Sequence, residues 1–130
     1  MSGETDLATL LASMEPELRP GEYVYVVVDD LDGVEPEATV REPEGLSAVL
    51  TRERADALGL PYDYVAAWIT LRVHSALAAV GLTAAVSRAL AQAGLSCNVI
   101  AGYHHDHLLV PAGRGEEALA VLRRLSSRGP

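Results

Sequence analysis

The pattern of apolar and polar positions is clearest in the second half of the chain. Residues 65–73 are almost all apolar or β-branched, with Arg72 as the only charge, which predicts a central strand covered on both faces. After a loop that contains Gly81, apolar residues recur at three- and four-residue spacing over residues 82–94. This spacing predicts an amphipathic helix that ends at Gly94.

Two short apolar runs and a final helical segment complete this half. Residues 97–101 and 107–111 are separated by a hairpin-sized polar gap, and residues 114–126 have acids at their start and arginines near their end, as a helix dipole favours. The order strand, helix, strand, strand, helix is that of a ferredoxin-like unit without its fourth strand. Because an open apolar sheet edge would aggregate, we expect the first half or a second molecule to cover it.

The first half predicts a related, shorter unit. Its pattern indicates a helix over 7–14 capped by Asp6, strands over 22–28, 38–41 and 46–51, and a helix over 52–58 capped by Thr51. Both halves close with a strand that leads into a helix, so the first half is predicted to be a copy without its first helix, with residues 7–14 packing in that place. We therefore predict an α+β fold of two ferredoxin-like (βαββαβ) halves with antiparallel sheets, divided into residues 1–63 and 64–130.

Charge is distributed unevenly between these halves. Residues 1–63 hold fifteen acidic residues and four arginines, a net charge of −11, whereas residues 64–130 hold three acidic residues and six arginines, a net charge of +3. No basic stripe with interleaved aromatic residues is present, so we expect no nucleic-acid partner. The asymmetry could help two copies meet, but a solvated acidic face explains it more simply.

Composition excludes several classes of function. All ten basic residues are arginine, which excludes chemistry that needs a lysine amine, such as Schiff-base formation or Walker-type phosphate binding. The single cysteine, Cys97, lies in a predicted apolar strand and suits a reducing compartment. Because there is neither a run of about 20 apolar residues nor a basic leader, we expect no membrane partner and a cytoplasmic location. No cofactor is predicted, and no serine-histidine-acid motif supports catalysis.

Polar groups are predicted to converge at one edge of the sheet. In a split βαβ unit this edge is shared by the 74–81 loop, the 102–106 turn and the start of the 82–94 helix. The helix start offers unpaired N–H groups to an anion, Gly81 allows close approach of a ligand, and Asp106 offers a carboxylate to an ammonium or guanidinium group. Further polar groups at or near this edge come from Ser75, Thr83 and Asn98. The fold would need the glycine and turn residues even without a ligand.

A histidine cluster offers a different candidate site. His105 and His107 are two positions apart on a predicted strand and therefore share one face, and His74 approaches from the neighbouring strand. Histidine nitrogens at this spacing permit a zinc or nickel site, and hydrolysis by a metal-bound hydroxide then becomes conceivable.

Two segments resemble a known family. WITLRVHSALAAVGLTAAVSRALAQAGLSCNVIAGYHHDHLLVP, together with LLASMEPELRPGEYVYV near the start, resembles the small tandem ACT-like proteins, and its pattern is similar to the amino-acid-sensing modules of the CASTOR arginine sensors. The resemblance implies two ACT-like subdomains without catalysis of their own, which bind small effectors, commonly amino acids, at a subdomain or subunit interface. It also implies ligand contacts along residues 74–82 and from the backbone of residues 98–100.

Geometry and resemblance together predict a non-catalytic regulatory protein, a homodimer, that binds a small effector, namely an amino acid. The predicted ligand-binding residues are His74, Ser75, Val80, Gly81, Leu82, Thr83, Asn98, Val99, Ile100 and Asp106. The alternatives are a metal-binding protein with or without hydrolytic activity, and a module that acts only by pairing with another protein.

Overall fold

The computed structural model describes residues 6–73 and 75–129. Its strands are β1 (Glu15–Leu18), β2 (Tyr23–Val28), β3 (Ala38–Glu42), β4 (Gly45–Thr51), β5 (Val65–Arg72), β6 (Asn98–Ala101) and β7 (Asp106–Pro111). Its helices are α1 (Leu7–Ser13), α2 (Arg52–Ala57), α3 (Leu82–Gln92) and α4 (Gly115–Arg128), the last preceded by a short 3₁₀ turn. Among the residues described, no helix is both long and apolar enough to cross a membrane.

All seven strands form one antiparallel sheet that runs through both halves. The strand order is β3-β4-β2-β5-β7-β6, and β1 lies beside β5 on the same edge that β2 uses. β2 pairs with only the first two residues of β5, through Tyr23 opposite Ala66 and Val24 opposite Val65. β5 is thus the fourth strand of the first half and the first strand of the second half. The predicted α+β class with two ferredoxin-like halves is confirmed.

The missing fourth strand of the second half is β1, which sequence reasoning did not identify. Its residues pair antiparallel with residues 69–72, from Glu15 opposite Arg72 to Leu18 opposite Ile69. A four-residue segment with a proline and two acids has little intrinsic tendency to form a strand. Pro16 is tolerated because β1 is an edge strand, where a missing N–H breaks no ladder on the open side.

α1 packs against the second half, which corrects the expectation that residues 7–14 replace the missing helix of the first half. Leu10, Leu11 and Met14 are buried in one cluster with Leu90 of α3 and Leu122 of α4. The hydroxyl of Ser126 donates to the carbonyl oxygens of Leu11 and Met14, at 2.8 and 3.1 Å. The N-terminal segment therefore completes both the sheet and the helical layer of the second half, and the division into 1–63 and 64–130 stays a prediction.

All four helices lie on one face of the sheet, and the opposite face carries an aromatic cluster. Register places Tyr23, Ala66, Trp68 and Leu109 on this helix-free face, where they are buried against one another. Val40 is 60% exposed, because it lies on the edge strand β3.

Candidate functional site

The connection from β5 to α3 forms the candidate site predicted at the sheet edge. Gly81 precedes α3 with φ of 104° and ψ of −19°, and no side chain caps the helix. A Cβ atom at Gly81 would lie 3.1 Å from a methyl carbon of Leu7, so both the backbone conformation and the packing of α1 favour glycine here. Among the described residues, therefore, no side chain caps the first N–H groups of α3.

Asp106 lies beside this connection, on the face of the sheet that α3 covers. In register it is opposite Leu71 of β5 and Ala101 of β6, and Leu71 belongs to the core beneath α3. Its side chain is half-buried, and desolvation raises the pKa of the carboxyl group, although His107 and His105 partly oppose this effect. No side chain in the described part of the chain donates a hydrogen bond to this carboxylate. Asp106 is therefore a half-buried carboxylate without a side-chain hydrogen bond from the described residues, and His107 and His105 are the nearby groups that favour its charge.

The other predicted residues near α3 have mixed environments. Leu82 is buried in the core, whereas Val80 is 83% exposed and Thr83 is exposed with its carbonyl accepting the Ser87 hydroxyl at 2.6 Å. Ser75 is half-buried in the connection. His74 lies outside the described residues.

The predicted residues of β6 divide between the two faces of the sheet. Val99 packs on the core beneath the helices, but Asn98 and Ile100 face the helix-free side, opposite Leu109 and His107. Asn98 also begins the strand, three residues from its end at Ala101, a distance of about 10 Å along the strand. Asn98 therefore lies apart from Gly81 and Asp106.

A hydrogen-bonded chain occupies the centre of the helix-free face. Nε1 of Trp68 donates to Oγ1 of Thr70 at 3.1 Å, and Nδ1 of His107 lies 3.0 Å from the same oxygen. The guanidinium carbon of Arg19 lies 4.2 Å from the centroid of the Trp68 ring, and its Nη1 is 2.5 Å from Oε1 of Glu37. These contacts join the β1–β2 connection to β5 and β7.

Desolvation lowers the pKa of His107, and the nearby charges of Arg19 and His105 lower it further. Nδ1 of His105 is 3.5 Å from the carbonyl oxygen of Val73. In the described part of the chain no group of three His, Cys, Asp or Glu side chains is arranged to hold a metal ion. The metal alternative with His105, His107 and His74 stays a prediction.

Sequence reasoning missed the roles of Arg19 and Thr70. Thr70 is the one polar residue within the apolar run 65–71, and it is 8% exposed. A buried hydroxyl needs partners, so its position in a central strand was a usable signal. Arg19 carried no such signal, because its stacking on Trp68 depends on where β1 lies.

Two family models, both described as ACT domain, match the chain over residues 2–67 and over residues 64–124. ACT domains are regulatory modules that generally bind small effectors such as amino acids. No curated protein matches the chain.

Solved structures support this assignment. A Vibrio cholerae protein, VC0802, described as a protein of unknown function and possible transport protein, is 47% identical with a TM-score of 0.84, and the match covers 92% of this chain and 95% of that chain. The regulatory subunit of aspartate kinase from Thermus flavus is 13% identical with a TM-score of 0.64, over 87% of this chain and 97% of that chain. The corresponding subunit from Thermus thermophilus is 10% identical with a TM-score of 0.57, over 88% of this chain and 97% of that chain. The two subunits show the same fold, and the chain belongs to the ACT domain family as a tandem of two such domains.

Proposed function

We propose that this protein is a non-catalytic regulatory ACT protein that binds an amino acid between the start of α3 and Asp106. The observation that carries the proposal is the half-buried carboxylate of Asp106, which accepts no hydrogen bond from a described side chain and lies opposite Leu71, near the end of β5 from which the connection to the uncapped α3 begins. An α-amino acid carries a carboxylate and an ammonium group on the same carbon atom. The start of α3 complements the carboxylate, and Asp106 complements the ammonium group.

The chemistry of each contact follows from the environment. The free N–H groups at the start of α3, together with the positive end of the helix dipole, favour the ligand carboxylate. The Asp106 carboxylate favours the ligand ammonium group, because an opposite charge restores the stabilisation that burial removed. At Gly81 the position of the missing side chain is occupied by Leu7, so glycine here serves the backbone conformation ahead of α3 and the packing of α1.

We also propose that the protein is a cytoplasmic homodimer in which a second subunit lies next to the ligand. Leu77 and Val80 in the β5–α3 connection are 68% and 83% exposed, which suits a surface that another subunit covers. We also propose that this chain is related to the amino-acid-sensing modules of the CASTOR arginine sensors.

The test is a thermal-unfolding panel with each common amino acid at millimolar concentration, repeated with chelator. A ligand at one hundred times its dissociation constant stabilises the native state by about 2.7 kcal/mol, which raises the midpoint by several degrees in a domain of this size. Asp106→Asn should remove the shift, whereas Asp63→Asn, at an exposed acid in the β4–β5 region, should keep it. A panel without any shift, or a shift that Asp106→Asn leaves intact, would reject the proposed site.

A further inference from the structure

A groove runs along the outer surface of the helical layer between α3 and α4. Its volume is about 760 Å³, and Leu7 of α1 and Gly81 line it together with the two helices. α3 and α4 are antiparallel, because they follow β5 and β7, which are antiparallel neighbours. Gly81 therefore marks one end of the groove together with Arg128, and Ala93 marks the other.

The floor of the groove is apolar and made of small side chains. α3 and the residue that follows it contribute four alanines, and α4 contributes Val121 and Leu125. The alanines are Ala84, Ala85, Ala89 and Ala93. Small side chains on one wall let another backbone approach closely, as in helix–helix packing.

Three arginines line the groove and have no acidic partner. Arg88 belongs to α3, and Arg124 and Arg128 belong to α4, one helical turn apart. Within residues 6–73 and 75–129 none of the three forms an ion pair, although four other arginines do. The helix dipole accounts for Arg128 at the end of α4, but not for Arg88 in the middle of α3.

We propose that this groove binds an amphipathic helix of a partner protein, with an apolar stripe on the alanine floor and acidic residues beside the arginines. From Gly81 to Ala93 the groove is about 18 Å long, which matches about three helical turns. Arg124 and Arg128 are separated by about 6 Å along α4, the spacing of two acidic residues four positions apart on a partner helix. The groove is open along its length, so the polar face of such a helix stays in water.

None of the four helices described in this chain could serve as such a helix in a second copy. α1 and α3 contain no acidic residue, and α2 has only six residues with two arginines among its acids. In α4, Glu116 and Glu117 lie in the first turn, and Glu117 pairs with Arg114. The occupant is therefore a different protein. This inference does not rest on the proposed amino-acid ligand.

The probe is a fluorescein-labelled synthetic peptide of about three to four turns, with leucine and alanine on one face and glutamates four residues apart beside that face. Fluorescence anisotropy measures its binding to the full chain. Arg124→Glu should weaken binding at least about tenfold, whereas Arg123→Glu, the same charge change at an exposed position outside the groove, should change it by less than about twofold. A second peptide with lysine in place of glutamate should bind Arg124→Glu better than it binds the natural chain.

A charge-neutral variant tests the contribution of the apolar floor to binding separately from that of the arginines. Ala89→Leu fills part of the floor and should weaken binding of the acidic peptide to a similar degree. The thermal midpoint of this variant must first show that it is folded. Equal binding of a sequence-scrambled peptide, or an equal loss in Arg123→Glu, would overturn the proposal. It would also be overturned by a dimer in sedimentation that Arg124→Glu dissociates, since a second copy would then occupy the groove.

Discussion

The hydroxyl of Thr70 lies 3.0 Å from Nδ1 of His107 while it accepts the indole N–H of Trp68. Because the indole group can only donate, the hydroxyl proton is free to point at an unprotonated Nδ1. This arrangement favours the neutral imidazole with its proton on Nε2. It agrees with the lowered pKa of His107, whose main cause is desolvation.

We therefore expect the stability of the protein to fall as pH falls through the titration of His107. The pKa of His107 is below 6.5 in the folded state, so the unfolded chain binds the proton more readily. The stabilisation is fully present above about pH 6.5 and is lost as pH falls through the folded pKa. Thermal midpoints over this range should drop less in His107→Gln than in the natural chain. A pKa of His107 above 6.5 by NMR would contradict the assignment.

Arg19 should stabilise the junction between the halves through its contact with Trp68. Arg19→Ala removes the guanidinium group above the indole ring and the ion pair with Glu37. Because both charged side chains are about one-third exposed, we expect a loss of about 1 kcal/mol in the free energy of unfolding by urea. Arg123→Ala, at an exposed position, should change it by less than about 0.5 kcal/mol. Equal effects would show that the stacking does not contribute.

Gly81 and Gly94 provide a matched pair for separating backbone strain from packing. Both have positive φ, 104° and 75°, so alanine costs about 1–2 kcal/mol at either position. At Gly81 the new Cβ also lies 3.1 Å from Leu7, whereas nothing lies within 4 Å at Gly94. Gly81→Ala should therefore lower the urea midpoint more than Gly94→Ala. A larger drop in the urea midpoint for Gly94→Ala would show that Leu7 can move away from the new Cβ atom without a loss of stability.

Ser126 should stabilise the packing of α1 against the second half. Its hydroxyl donates to the carbonyl oxygens of Leu11 and Met14, so Ser126→Ala leaves the end of α1 without this donor and should cost about 1 kcal/mol. Ser127 bonds only within α4, to the carbonyl of Arg124, and Ser127→Ala should cost less. Hydrogen exchange of the α1 amides should increase in the first variant alone. Unchanged hydrogen exchange would show that the Ser126 hydrogen bonds do not stabilise the packing of α1.

Cys97 should react slowly with alkylating reagents in the native protein. It is partly buried, and desolvation raises the pKa of its thiol to about 11, so little thiolate is present near neutral pH. Iodoacetamide at pH 8 should modify the protein much more slowly than the same chain in denaturant, as followed by intact mass. Similar rates in both conditions would contradict the burial of this thiol.

The elements with strong periodicity were predictable because the signal is local. The helices at α3 and α4 and the strands β2, β4 and β5 lie within a few residues of their predicted bounds. Asp6 and Thr51 cap α1 and α2 as their side chains indicated, with bonds to the N–H groups of Thr9 and Arg54. For the candidate site, the positions of Gly81 and Asp106 followed from connectivity alone.

By itself the sequence determined the order of the four helices and of six of the seven strands described, the two related halves and the edge where a ligand is expected. The tertiary structure decided that residues 15–18 form a strand, that α1 belongs to the second half, and that Asn98 lies apart from Asp106. β1 exists because the edge of β5 has unpaired N–H and C=O groups, and these come from residues more than fifty positions away. Propensity and periodicity report only on neighbours in the chain, so a strand that forms to satisfy a distant partner leaves no local pattern.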